Sequence, residues 1–110
     1  MQNLQGNFVI NKQQPYDQIV YRGFLCCQVP NFWVPFHKLF EKEPIANVID
    51  IGTCHGGTTA FLYDLAKLHN QDSRVLSIDI VEIDWIQLIK DLGVEFVKGD
   101  AESEVSAAYN

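Results

Sequence analysis

At 110 residues, 47% hydrophobic and 20% charged, the chain is sized for one globular domain with a single core. The net charge of −6 argues against a nucleic-acid backbone as main partner, because that affinity rests on clustered Lys and Arg. No apolar run is long enough to span a membrane, and the start Met1-Gln-Asn-Leu-Gln lacks the basic-then-apolar layout of a signal peptide, so a cytoplasmic protein is the default expectation.

Residues 1–18 are polar and rich in Gln and Asn, which predicts an irregular or partly ordered arm. Over 19–29, apolar and aromatic residues mix with Gly23 in the pattern of a strand or extended approach. Cys26 and Cys27 lie there side by side. Neighbouring cysteines bridge each other only under strain, no Cys-x-x-Cys partner supports a zinc site, and the chain's three cysteines give no disulfide framework. They are expected to be small packing residues in a reducing compartment. Pro30 and Pro35 then bracket the start of a short helix, with Asn31 as N-cap, Phe32, Trp33, Phe36, Leu39 and Phe40 at helical spacing, and Pro44 as stop. Residues 1–44 thus read as an arm and a flanking helix, set against a second unit over 45–110.

That second unit alternates strands and helices. Residues 47–51 form a buried strand, 58–68 a helix with Phe61, Leu62, Leu65, Ala66 and Leu68 inward, and 74–80 a second strand. A second helix over 82–92 carries the stripe Ile83, Ile86, Ile89 and Leu92 and ends at Gly93; 94–97 is the third strand. The pattern predicts an α/β, Rossmann-like parallel sheet in βαβαβ order. Residues 103–110 read as the first turn of a third helix.

The densest signal is Val48-Ile-Asp-Ile-Gly-Thr-Cys-His-Gly-Gly-Thr-Thr-Ala-Phe-Leu, an apolar run that meets an acid, turns through glycines and enters an amphipathic segment. Gly52, Gly56 and Gly57 allow a sharp turn and close approach to a ligand, and the helix that follows points unpaired N–H groups at whatever lies above. Asp79 and Asp100 close the next two strands, so acids stand at three strand ends with Asp50. Laid on Gly52, the dinucleotide fingerprint G-x-G-x-x-G needs a glycine where Cys54 stands, and that side chain would crowd a pyrophosphate. A ligand with ribose and adenine but no phosphate tolerates it, which favours S-adenosylmethionine over NAD. Asp79 at the second strand's end suits the ribose hydroxyls and would repel a 2′-phosphate.

Asp50-Ile-Gly52-Thr-Cys-His-Gly56 resembles motif I of class I S-adenosylmethionine-dependent methyltransferases. The Ile-Gly-Thr-x-x-Gly-Gly-Thr form, with the upstream Gly23-Phe-Leu-Cys-Cys-Gln28-Val-Pro30, is similar to the cephalosporin hydroxylase and rhamnosyl O-methyltransferase group. Arg74-Val-Leu-Ser-Ile-Asp79 resembles the second motif and Val94-Glu-Phe-Val-Lys-Gly-Asp100-Ala-Glu-Ser the third. The resemblance implies methyl transfer, to an oxygen of a small molecule or sugar or to another nucleophile. Asp50 would hold the methionine end of the cofactor, Gly52, Thr53, Gly56 and Gly57 would line it with backbone, and Thr58 would cap the helix. Asp79 would bind the ribose, Asp100 the adenine amino group, and Ala101 and Glu102 would contact the ring, with Ile80 a further cofactor-binding residue.

His55 sits in the glycine loop, where positioning the loop is favoured over base catalysis. His37 and His69 read as surface residues on helices, and Cys54 as loop packing. Glu82, Asp84 and Asp91 fall on a polar helix face and read as solvated. In the resembling group a divalent metal and the catalytic acids follow strands four and five, for which this chain has no residues, so neither a metal ligand nor a catalytic residue is assigned. A complete fold of this kind has seven strands, so the chain is expected to be its N-terminal half, with the third strand as an open, apolar edge. A missing C-terminal half or a homo-oligomer would complete it. The rival readings are a non-catalytic cofactor-binding module and an NAD or sugar-nucleotide enzyme of the same fold.

Overall fold

The polar start is where the computed structural model, which describes residues 4–12, 17–29 and 31–104, departs first from expectation. A single 3-10 turn at Leu4–Asn7 leads into β1 (Phe8–Asn11), which pairs antiparallel with β2 (Gln18–Tyr21); β3 (Phe24–Cys26) extends the sheet in the order β1-β2-β3. The alternation of β2 sends Ile19 and Tyr21 into the core. Opposite Tyr21, Phe8 packs its ring at a tilt with centroids 4.8 Å apart. Arg22 (φ 54) and Gly23 (φ 84) form a two-residue hairpin turn, both in the left-handed region that matches strand twist.

Helix α1 (Trp33–Lys42) buries Trp33, His37 and Phe40, one residue per turn of the inner stripe. Asn31 is not its cap. That residue takes φ 67, Phe32 precedes the first helical residue, and no side chain caps the end. Pro35 fits the first turn, where no intrahelical N–H is needed. His37 is a core residue rather than a surface one: Nδ1 bonds the Trp33 carbonyl at 3.0 Å and Nε2 accepts the Leu4 N–H at 3.2 Å. His69 is half-buried.

The second unit follows the predicted order: β4 (Asn47–Ile51), α2 (Gly57–His69), β5 (Arg74–Asp79), α3 (Ile86–Leu92) and β6 (Glu95–Lys98). All three strands are parallel, in the order β4-β5-β6. Helix α3 starts four residues later than the pattern suggests, because the Ile86 N–H turns back to the Ile83 carbonyl at 3.0 Å. Gly93 stops it at φ 117. Thr58 does not cap α2; left-handed Gly56 precedes the helix and no side-chain cap is made. Residues 101–104 are helical, and the rest of that predicted turn, 105–110, lies outside the described residues.

One core joins the two sheets. Phe61 of α2, fully buried, lies within 5.1–6.4 Å, ring to ring, of Phe8, Tyr21, Phe32, Phe36 and His37. Tyr21 also donates to Asp64 of α2 at 2.6 Å, and Arg22 pairs with the same carboxylate at 3.0 Å. Burial and the Asp64 carboxylate push the Tyr21 hydroxyl's pKa upward. The third strand, β6, is an edge as predicted, with Phe96 and Val97 half-buried, and β4 forms a second edge. Charged Glu95 and Lys98 bracket β6, whereas β4 leaves Ile51 65% exposed beside a groove that Leu39 and Phe36 also line.

Candidate cofactor site

The carboxyl ends of the parallel strands meet in a cleft of about 190 Å³. Ile51 of β4 and Gly52 just after it, Ile78 and Asp79 of β5 and Ile80 just after it, and Gly99 and Ala101 after β6 line it. Main-chain bonds fix its rim, from the Gly52 N–H to the Ile78 carbonyl at 2.7 Å and from the Gly99 N–H to the Asp79 carbonyl at 2.9 Å. Gly52 holds φ 92, and no atom lies within 4 Å of where its Cβ would be, so its backbone faces open space.

Asp79 organises this rim. Its Oδ2 accepts the Cys54 N–H and its Oδ1 the Val81 N–H, both at 3.0 Å. These backbone donors, Cys54 first, hold its carboxyl below the usual range and keep it ionised. The Ile80 and Thr53 N–H groups also reach this carboxylate, which lines the cleft where a ligand hydroxyl can approach it.

Asp50 lies beneath the turn instead of in the cleft. Its Oδ2 accepts from Thr59 Oγ1 at 2.5 Å and from Ser77 Oγ at 3.1 Å. Burial raises its pKa, with those hydroxyls opposing and Asp79 adding to the rise. Thr53 is buried and bonds Ser77 at 2.6 Å, so its side chain also serves this internal network. Ser77 and Thr59 were not among the predicted site residues. The signal for Ser77 was a lone hydroxyl in the otherwise apolar Val75, Leu76, Ile78 run, which must find a partner when buried.

Gly56 and Gly57 are packed where a side chain would stand. A Cβ on Gly56 would lie 2.7 Å from Ile89, and one on Gly57 2.6 Å from both Cys26 Sγ and the Phe24 carbonyl oxygen. The second glycine therefore lets α2 close on β3. His55 stacks on Trp85 (centroids 5.8 Å apart, 12° between planes), and its carbonyl accepts the Trp85 Nε1–H at 3.0 Å. Both contacts suit a residue that positions the loop, and Trp85 is a partner the sequence pattern did not reveal. Asp100 is exposed and bonds the Glu102 N–H at 2.9 Å, opening the 101–104 turn; Glu102 is exposed beside it. The structure thus brings Gly52, Asp79, Ile80 and Ala101 to one cleft and leaves Asp50, Thr53, His55, Gly56 and Gly57 around the turn that frames it.

The cysteines correct the expectation of three unbonded packing residues. Cys27 is disulfide-bonded to Cys54, Cα atoms 6.8 Å apart and 27 residues apart in sequence. The reason is tertiary, since the glycine turn folds onto the end of β3. Only Cys26 is free, and it is buried as expected. His55 joins the pair, the ligand atoms of all three lying within 4.8 Å of one another. Among the described residues no other group of three or more His, Cys, Asp or Glu lies close enough to share a metal; bonded to each other, these two sulfurs offer no thiolate, and the set does not fit Mg²⁺, which demands oxygen ligands. Glu82, Asp84 and Asp91 are exposed and apart from it.

A family model described as Rhamnosyl O-methyltransferase/CmcI matches residues 13–91. The chain belongs to that family. Among solved structures, one of cmcI with SAH superposes at TM-score 0.60 and 21% identity, covering 74% of this chain and 40% of that one. Another, of cmcI with Mg-SAM, does so at TM-score 0.65 and 19% identity, covering 83% of this chain and 40% of that one. This likeness establishes the fold, a class I methyltransferase-type sheet, and the chain spans about 40% of the length of the solved structures it matches. No curated protein matches the chain. Among the described residues no helix is long and apolar enough to cross a membrane.

Proposed function

We propose that this chain supplies the cofactor-binding half of an S-adenosylmethionine-dependent O-methyltransferase acting on a small molecule or sugar in the cytoplasm. Residues 45–110 carry the cofactor and 1–44 flank it. The observation that carries the reading is an ionised Asp79 beside the open backbone of Gly52 in the strand-end cleft. At about 190 Å³ the cleft is smaller than the roughly 300–1,000 Å³ of a complete small-molecule site. It therefore suits the adenosine portion of a ligand, with the acceptor's share of the site supplied by a C-terminal half or a second copy.

In this reading Asp79 accepts the ribose hydroxyls, Ile80 and Ala101 cover the adenine, and Asp100 and Glu102 stand at its amino edge. The turn from Gly52 to Gly57 approaches the methionine end, with the N-terminus of α2 behind it to favour the carboxylate. Asp50 holds the turn from below through Thr59 and Ser77, and His55 holds it from the side through Trp85. Bound S-adenosylmethionine would supply a methyl group already activated on sulfonium, leaving the protein to orient it and exclude water. A divalent metal, if the complete protein uses one, would take its ligands from residues outside this chain, and no step here is routed through it.

Calorimetric titration with S-adenosylmethionine and S-adenosylhomocysteine, alongside Asp79→Ala, tests the proposal. Binding is expected, weakened about tenfold to a hundredfold by the substitution, the loss of about 1.5–3 kcal/mol of charge-assisted bonding. A folded chain that binds neither ligand would overturn it. Binding without turnover on any acceptor, after the missing half is supplied, would favour a non-catalytic module. NAD is disfavoured because Cys54, where its fingerprint needs glycine, is also held by a disulfide.

A further inference from the structure

The Cys27–Cys54 bond is the one covalent tie between the hairpin sheet and the glycine turn. Cys54 sits in the middle of that turn at φ 53, a left-handed backbone that residues with a Cβ disfavour. Two restraints hold it there: the bond to Cys27 and the N–H it donates to Asp79 Oδ2 at 3.0 Å. The second restraint ends on the carboxylate that organises the cleft. Whatever frees Cys54 therefore loosens a donor to Asp79 and the turn together.

We propose that Cys27 and Cys54 form a reversible dithiol–disulfide site that sets the conformation of the glycine turn, ordered when oxidised and relaxed when reduced. Its consequence for ligand binding rests on the cofactor reading above; the switch itself does not.

Access differs sharply between the adjacent cysteines. Cys27 is exposed and lines an open pocket with Gln18, Gln28, Val29 and His55, where a small thiol can reach it. Cys26 is 5% exposed, packs where α2 meets β3, and has its thiol pushed up to about 11 by burial. Cys26 is inert in exchange on both counts. Cys54 is the less exposed of the two bonded cysteines, so a small thiol reaches Cys27 first and Cys54 is the sulfur that leaves. Reduction by a monothiol such as glutathione then balances as follows. The small thiolate attacks Cys27 Sγ, forming a mixed disulfide as the protein S–S bond breaks, and Cys54 leaves with the electron pair. A second small thiolate attacks the small molecule's own sulfur in that mixed disulfide, releasing the small-molecule disulfide and the Cys27 thiolate. Two electrons enter the protein, and the protons of the two small thiols end on Cys27 and Cys54. The oxidising direction is the reverse, with glutathione disulfide as oxidant. In a reducing compartment, disulfides that do form are characteristically transient or sensing ones.

The full chain, equilibrated in glutathione buffers of graded ratio with a chelator present, is acid-quenched, then unfolded and alkylated and weighed intact, while amide exchange over residues 52–57 of the folded chain is followed in parallel. Three alkylated thiols are expected at the reducing end and one, Cys26, at the oxidising end, with faster exchange in the turn when reduced. S-adenosylhomocysteine affinity should fall about tenfold on reduction, the scale of one residue released from a left-handed conformation. Cys27→Ser and Cys54→Ser should both reproduce the reduced behaviour at every ratio. Three reactive thiols throughout, or the same turn exchange in both states, overturns the proposal. Redox-dependent turn exchange with no ligand binding in either state supports the switch and removes the cofactor reading instead.

Discussion

The two sheets of this protein pack on the same helix, α2, but are written differently in the sequence. Strands β4 and β5 are apolar runs, and β5 is buried through Val75, Leu76, Ser77 and Ile78, as a parallel strand between layers must be. The hairpin strands lie over the core with one face outward, and β1 leaves Val9 and Ile10 exposed while only Phe8 is engaged inside. A parallel strand announces itself by composition. A hairpin strand with one committed residue does so only once its neighbours are in place.

The largest test of that shared helix is Phe61→Ala. Phe61 is fully buried and meets rings from both the hairpin sheet and α1, so about 3–5 kcal/mol should be lost in denaturant unfolding. If the hairpin were only loosely attached, the loss would be much smaller. Next comes Gly57→Ala, whose new Cβ would lie 2.6 Å from the Phe24 carbonyl oxygen and Cys26 Sγ; pushing α2 off β3 should cost about 1–3 kcal/mol, read in the same way. Tyr21→Phe removes the hydroxyl that donates to Asp64 and also meets Asn7, and should cost about 1–2 kcal/mol. The Arg74–Glu95 pair on the parallel sheet is exposed on both sides, so Arg74→Ala should change stability by no more than about 1 kcal/mol.

The two acids of the parallel sheet sharpen the comparison because their pKa values are shifted in opposite directions. Backbone donors depress the Asp79 pKa, so its contribution is present above the unfolded carboxylate value and disappears as pH falls through its folded value. Burial raises that of Asp50, so its contribution is present below the unfolded value and is lost as pH rises through its folded value. Thermal melts across the carboxylate range should therefore show D50N gaining on the parent as pH rises and D79N losing ground to it. A common direction for both would contradict the assigned environments.

The order of strands and helices after residue 45 was legible because each depends on local periodicity and on Gly93. The acids at the strand ends, and the family itself, were legible because motif spacing survives without coordinates. Asp50 shows where that legibility stops. The sequence placed it in the glycine motif, but its partners Thr59 and Ser77 come from a helix and a neighbouring strand. His37 looked like a helix-surface residue because nothing local reveals that the Leu4 N–H lies across its ring.

The sequence by itself determined the parallel βαβαβ unit, the turn at Gly52 and the acids closing each strand, since period, turn chemistry and strand-end position are properties of short segments. Only the tertiary structure decided that the polar start is a paired hairpin, that β4 is an exposed apolar edge beside the predicted one at β6, and that Cys27 rather than Cys26 meets Cys54. Each of these is a long-range pairing. Alternation along a strand sends neighbouring side chains to opposite faces, and which face meets the glycine turn is settled when the two sheets close on α2.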